Sequence, residues 1–460
     1  MQFPPDFLFG AATSAYQIEG ASHADGKGLS IWDVFAHTPG KTWEGQTGDV
    51  ACAHYQRFRE DVALMQQLGL RAYRFSISWP RILPDGTGAI NEKGLAFYER
   101  LVDALLAAGI APWLTLYHWD LPYELHLRGG WLNPEMAAWF GEYTQVVVAR
   151  LSDRVRNWIT LNEPQVFVGC GYKDGVHAPG LRLALPEILR VTHNVLRAHG
   201  TATQVIRAQA KTPPQVGIAP NGAHFYPATD TPADIAAART KFCAVDAPDM
   251  WNNTWFMDPI FFGHYPEDGL RLFADVMPPV SEADLHCIHQ PPDIYCWNMY
   301  FGMPVSAEPG TGRPRVTHQI GAAAQTFFQW PVTPEAFYWC ARFAYERYQK
   351  PIYVTENGMA GLDWVHRDGA VHDPQRIDFL TRYLGVLARA IADGVDVRGY
   401  FQWSLLDNIE WAEGVKQRFG LVYVDFATQQ RVLKDSAYWY RDLIARTRTG
   451  NIGDTAEKSE

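Results

Sequence analysis

Short runs of β-branched and aromatic residues alternate with longer stretches of helical periodicity from one end of the 460-residue chain to the other. Few architectures accept that rhythm. Strands are expected from Phe7 to Ala12, Ala72 to Ser76, Ala111 to Leu116, Asn157 to Leu161, Val216 to Pro220, Ile294 to Asn298, Ile352 to Thr355 and Val397 to Trp403. The spacing of apolar residues between them predicts helices over His54 to Leu68, Lys93 to Ala108, Glu135 to Leu151, Pro186 to Ala208, Pro334 to Tyr348 and Arg376 to Ala392. Strands separated by helices form a parallel sheet, because a helix is what carries the chain back to start the next strand in the same direction. Eight strands, each but the last followed by helical sequence, with no linker and no change of composition, predict an α/β fold. It is a single (β/α)8 barrel over residues 1–446. The Gly-, Pro-, Asn- and aromatic-rich segments Asp25 to Asp49, Ala223 to Pro291 and Ala307 to Trp330 read as long loops at the catalytic rim. Residues 447–460 are polar and weakly patterned, and are expected to form a flexible tail.

Composition narrows the partners. Asp and Glu number 50 against 40 Lys and Arg, and no basic block occurs, which argues against nucleic acid. The most apolar stretch, Val102 to Trp119, is interrupted by Asp103, Gly109 and Pro112, so no membrane span is expected. The N-terminus lacks a basic region followed by an apolar core, as an export signal would have. The six cysteines are scattered without a CxxC pair, which speaks against a zinc site or a disulfide framework and fits a reducing cytoplasm. No metal and no cofactor is expected.

In a barrel of this kind, polar residues at the carboxyl ends of strands face the active site. That filter selects Gln17 after the first strand, Arg74 and Ser76 on the second, and His118, Trp119 and Asp120 after the third. It selects Asn162 and Glu163 after the fourth, Asn298 and Tyr300 at the sixth, and Thr355, Glu356 and Asn357 at the seventh. Trp403 ends the eighth, with Asp407, Asn408, Glu410 and Trp411 beyond it. Glu163 in ITLNEP and Glu356 in VTENG would face each other across the mouth. A facing pair of carboxyls suits glycosidic bond cleavage: one protonates the departing oxygen, the other attacks or guides water, and about 5–5.5 Å between them selects the retaining route. Gln17, His118, Asn162 and Glu410 can hydrogen-bond ring hydroxyls, and Trp403 and Trp411 can stack on a pyranose.

Taken singly, each residue has a plainer reading. A Glu before Pro commonly starts a helix, His118 could be a satisfied core histidine, and Trp403 and Trp411 could be core aromatics. Arg74 reads as a partner that balances a carboxylate, and Cys170 and Met299 as packing residues. Their joint occurrence at strand ends favours the catalytic reading.

The blocks FLFGAATSAYQIEGA (7–21), RFSISWPRILPDGTG (74–88), LTLYHWDLP (114–122), TLNEP (160–164), HAPG (177–180), YVTENG (353–358), YFQWSLLDNIEWAEG (400–414) and RFGLVYVD (418–425) resemble glycoside hydrolase family 1, the β-glucosidase family, over essentially the whole chain. The resemblance implies a (β/α)8 barrel that hydrolyses β-glucosides, with β-galactosides and β-fucosides as further glycones, and β-linked oligosaccharides with net retention, without metal or organic cofactor, in carbohydrate metabolism such as cellulose degradation. It implies Glu163 as acid/base and Glu356 as nucleophile, with Gln17, His118, Trp119, Asn162, Trp403, Glu410 and Trp411 around the glycone. Tyr300 would hydrogen-bond the nucleophile, Arg74 would stabilise its charge, Asn298 would support the cluster, and Trp330 would form an outer platform.

The chain departs from the family pattern at Trp297 and Met299 in the sixth strand, at Gln165 where an aromatic commonly follows NEP, and at Ala336 in place of a glycine. A 6-phospho-β-glycosidase would need serine, lysine and tyrosine after strand eight, where LLDNIEWAEG stands instead, and Glu410 would repel a phosphate. A catalytically inactive glycan- or protein-binding barrel is disfavoured by the intact motifs of Glu163 and Glu356, and the presence of Glu163 disfavours a thioglucosidase.

Overall fold

The computed structural model describes residues 1–317 and 324–449. Eight parallel strands, β1 (Leu8–Ala12), β2 (Ala72–Ser76), β3 (Ala111–Tyr117), β4 (Asn157–Asn162), β5 (Gln215–Ala219), β6 (Tyr295–Asn298), β7 (Ile352–Asn357) and β8 (Val397–Trp403), form one sheet in the order 5-4-3-2-1-8-7-6. Each strand is thus next to its sequence neighbours, and β1 pairs with β8 from Leu8↔Gly399 to Ala12↔Trp403. Between β5 and β6, Asp293 N donates to Val216 O and Asn298 N to Pro220 O, which closes the barrel.

The barrel interior is filled by side chains. Trp113, Tyr353 and Phe401 pack ring to ring at 4.7 and 5.1 Å, with Ala72, Ile159 and Cys296 around them. Room for them comes from glycines on the strands: a Cβ on Gly10 would lie 2.6 Å from the Phe401 ring, and one on Gly217 2.6 Å from Cys296 Sγ. Long amphipathic helices cover the outside. Those after β1, β2, β3, β4, β6 and β7 are His54–Gln67, Glu92–Ala107, Met136–Leu151, Leu185–Gln209, Pro334–Tyr348 and Pro374–Ala392.

Three expectations are corrected. The segment 223–291 is not a loop but carries four helices, Pro232–Cys243, Thr254–Phe262, Glu267–Leu272 and Glu282–Ile288. Two begin at side-chain caps, Thr231 on Asp234 N and a Ser281–Asp284 capping box, signals that the segment's composition obscured. Within 25–49 lies the helix Ile31–His37, and within 307–330 the short strand Pro314–Val316. The last strand does have its helix, Asp435–Thr449, whose Tyr440 hydroxyl donates to Gly10 O at 2.9 Å. That helix runs past the expected boundary at 446, and the remainder of the expected tail, 450–460, lies outside the described residues, as does 318–323.

Candidate active site

The carboxyl ends of the strands are irregular where the two key glutamates stand. The β4–β5 register shifts between Ile159 and Asn162, and both partners of β7 shift between Val354 and its end. Such bulges turn side chains away from strict alternation. Glu163 follows β4 with φ 47°, and Pro164 behind it opens the helix Pro164–Val168. Trp119 (φ 78°) and Trp411 (φ 53°) share this left-handed backbone, which non-glycine residues adopt at a cost and which concentrates at functional sites.

A cavity of about 400 Å³ opens at this end of the barrel, lined by Glu163, Glu356 and Glu410 among others. His118, Trp119, Tyr300, Trp330, Trp403 and Trp411 line it as well. Trp119 and Trp411 stack at 4.4 Å, and His118 lies parallel to Trp403 at 5.8 Å, so Trp403 and Trp411 are both buried core and cavity wall. Across the cavity Tyr300, Phe328 and Trp330 form a second aromatic group, with Phe328 and Trp330 stacked at 4.4 Å.

Arg74, Asn162 and Asn298 form the layer that orients these groups. Arg74 Nη1 donates to Glu356 Oε1 at 2.5 Å and to Thr355 O, Nη2 donates to Asn162 Oδ1 at 2.6 Å, and Nε donates to Thr115 Oγ1. Tyr300 donates to the other Glu356 oxygen at 2.8 Å. Asn298 Nδ2 donates to Asn162 Oδ1 and to Glu163 Oε1, while Thr355 donates to Asn298 Oδ1. Two donors on Asn162 Oδ1 fix the direction of that amide, so its Nδ2 must donate to His118 Nε2 at 3.0 Å. Burial, assisted by Arg74, lowers the His118 pKa well below the histidine range. The ring is therefore neutral, and its proton sits on Nδ1, which has no partner among the described residues and is free for a ligand oxygen.

The two glutamates differ in company. Burial and then the negative charge of Glu356 push Glu163 up to about 8, because its partners are neutral amides, Asn298 and Asn221. Burial also raises Glu356, but Arg74, Tyr300 and Asn298 pull it back. At neutral pH the pair thus holds its proton on Glu163 and its charge on Glu356. Burial, followed by Glu356 and Glu163, pushes Glu410 up to about 8 as well, and its Oε2 has no partner among the described residues. At neutral pH Glu410 can therefore donate as well as accept a hydrogen bond.

Gln17 does not line the cavity. Its Nε2 is taken by Asn408 Oδ1 and Ile409 O, and its Oε1 accepts from Ser14, so it ties the Glu410 loop to the first strand. Gln165 also lies off the cavity, buried, with Oε1 accepting from Asn221 N. Sequence reasoning missed Asn221, whose Nδ2 donates to Glu163 Oε1 at 3.0 Å, and the cavity-lining His177 and His224. Asn221 stands just beyond the end of β5, where the same strand-end filter would have found it.

The model of glycosyl hydrolase family 1 matches residues 1–449. The chain belongs to that family. It is 47% identical over 445 residues to β-glucosidase A of Thermotoga maritima, covering 96% of this chain and 98% of the relative. It is 42% identical to a bifunctional β-D-glucosidase/β-D-fucosidase of Bifidobacterium breve, over 97% and 98% of the two chains. Among solved structures, the Thermotoga maritima β-glucosidase in complex with deoxynojirimycin superposes with a TM-score of 0.88 at 46% identity, over 97% of this family 1 chain and 99% of that one.

Proposed function

We propose that this family 1 protein is a retaining β-glucosidase that removes terminal β-D-glucosyl residues by double displacement. The observation that carries the reading is the unequal company of the pair: Glu163 held by neutral amides and Glu356 gripped by Arg74 and Tyr300, in one cavity. Glu356 attacks the anomeric carbon while Glu163 gives its proton to the departing oxygen. Glu163 then takes a proton from the water that releases the sugar. Tyr300 and Arg74 hold the nucleophile, and Asn298 and Asn162 set the spacing of the carboxyls.

The glycone is read by His118 Nδ1 and by Glu410, with Trp119, Trp403 and Trp411 as walls and Trp330 as the platform outside; Asn162, off the cavity lining, offers at most its second Nδ2 proton. Gln17 has both amide protons engaged and offers a sugar only the remaining lone pair of Oε1. The name of the Bifidobacterium relative extends the substrate range to β-fucosides. No Lys or Arg is among the described residues that line the cavity, so nothing there offsets a 6-phosphate and the phospho-glycosidase reading is set aside. A cytoplasmic place fits six free cysteines, and no helix among the described residues is long and apolar enough to cross a membrane. Residues 1–449 are read as one catalytic unit.

Initial rates on aryl β-glycosides and β-linked disaccharides, followed by proton NMR, test the reading. Hydrolysis of β-glucosides with the β-anomer of glucose appearing first is expected. The α-anomer appearing first, or a preference for 6-phosphoglucosides, would overturn it.

A further inference from the structure

His224 lies on the loop after β5 and lines the cavity beside Gly302 and Met303. Asn221 of the same loop holds Glu163, the group that protonates the leaving oxygen, so this side of the cavity faces the leaving group. The loop is rigidly held. Met303 N donates to His224 O at 2.9 Å, Asn253 Nδ2 donates to Ala223 O at 2.8 Å, and the strand Phe225–Pro227 that follows pairs with Met303–Ala307.

The imidazole is held with equal definition. Trp297 on β6 donates its indole N–H to His224 Nε2 at 3.1 Å, and an indole nitrogen can only donate. Nε2 is therefore an acceptor and the ring proton belongs to Nδ1. Burial lowers the His224 pKa to about 3, so the ring stays neutral and cannot turn both nitrogens into donors. Among the described residues Nδ1–H has no partner. Trp297 is also one of the positions at which this chain departs from the family pattern noted in its sequence.

We propose that His224 is a specificity-determining residue that donates a hydrogen bond from Nδ1 to a hydroxyl of the leaving group, favouring glucosides whose leaving group is a sugar over those with an apolar aryl group. Most of the surrounding wall is aromatic or apolar, through Val166, Trp251, Phe301, Met303 and Phe328, and holds a leaving group of either kind by contact. A fixed donor distinguishes them, because a hydroxyl satisfies it and an aryl ring leaves it buried and unpaired. The inference rests on the β-glucosidase reading and deepens it.

The test compares kcat/KM for cellobiose with that for 4-nitrophenyl β-glucoside. His224→Leu should lower the cellobiose value about tenfold, mostly through KM, and change the aryl value less than about twofold. His224→Gln keeps both an acceptor for Trp297 and a donor for the cavity, and should recover most of the loss. Trp297→Phe frees the ring to change tautomer and should lower the cellobiose value part of the way, again sparing the aryl substrate. A His224→Leu protein that loses both activities in proportion, or neither, overturns the proposal, as does a His224→Gln protein no better than His224→Leu. If the wild type cleaves aryl β-glucoside but the ratio does not respond to these changes, this proposal fails alone. If the wild type cleaves no β-glucoside, the function reading fails with it.

Discussion

Glu163 and Glu356 are chemically the same side chain, and their neighbours divide the labour between them. A guanidinium and a phenol hold Glu356, whereas two carboxamides hold Glu163. Glu356→Gly should abolish turnover while the protein stays folded, and added azide should restore reaction as the α-glycosyl azide, measured by product NMR. Glu163→Gln should cost about 10²–10⁴-fold on disaccharides and far less on 2,4-dinitrophenyl β-glucoside, whose leaving group needs no proton. Equal losses on both substrates would remove Glu163 from the acid role. The Asn221 amide favours the charged form of Glu163, so its loss raises the Glu163 pKa. Since a required acid fails as pH climbs through its pKa, the alkaline limb of kcat/KM in Asn221→Ala should move to higher pH. An unmoved limb would count against the contact. Most of these residues were legible in the sequence because strand ends are positions a pattern can mark. The neutral state of His118 was not, since it depends on which way the Asn162 amide points, and that is fixed by Arg74 and Asn298 from two other strands.

Elements were legible where their period was clean. The β2 and β8 expectations, Ala72 to Ser76 and Val397 to Trp403, coincide with the observed strands, and β7 was cut short at Thr355 because Glu356 and Asn357 do not look like strand residues. The helices between β5 and β6 stayed hidden because three of them run for only six to nine residues, too few for a full amphipathic repeat, and the fourth, Pro232–Cys243, is rich in alanine. The loop after β8 shows how an element far from substrate supports the site. Lys434, fully buried, donates to Asp407 Oδ1 and Asp363 Oδ2 at 2.6 Å each. Arg418 donates to Asp407 Oδ2 at 2.7 Å, and Arg376 binds Asp363 and Asp373. This network anchors the segment that presents Glu410. Lys434→Met would leave Asp407 and Asp363 buried without their shared cation, and should cost about 3–5 kcal/mol in urea unfolding. A loss below about 1 kcal/mol would mean that the arginines alone suffice.

At the scale of the molecule, the strand order was implicit in the alternation of strand and helix, since neighbouring strands in sequence become neighbours in a barrel. The size of the cavity was not, because it depends on how the rim elements pack. That cavity crowds three carboxyls into one space, Glu163 and Glu356 buried and Glu410 half-buried. Burial raises all three, and neighbouring negative charge adds to it for Glu163 and Glu410, which reach about 8. A carboxyl raised by folding favours the native state below its unfolded pKa, near 4.3, and loses that advantage as pH rises through the folded value. Between those limits the unfolded chain sheds its protons first, so alkalinity weakens the fold. Glu163→Gln and Glu410→Gln should therefore melt at higher temperature than the wild type, with a gain that is largest above about pH 8 and fades below about pH 4. Scanning calorimetry across that range measures it, and a gain independent of pH would point to packing instead. Laboratory selection for endurance in alkali alone would then drift towards proteins that persist longer and digest nothing, unless a sugar were supplied to occupy the site.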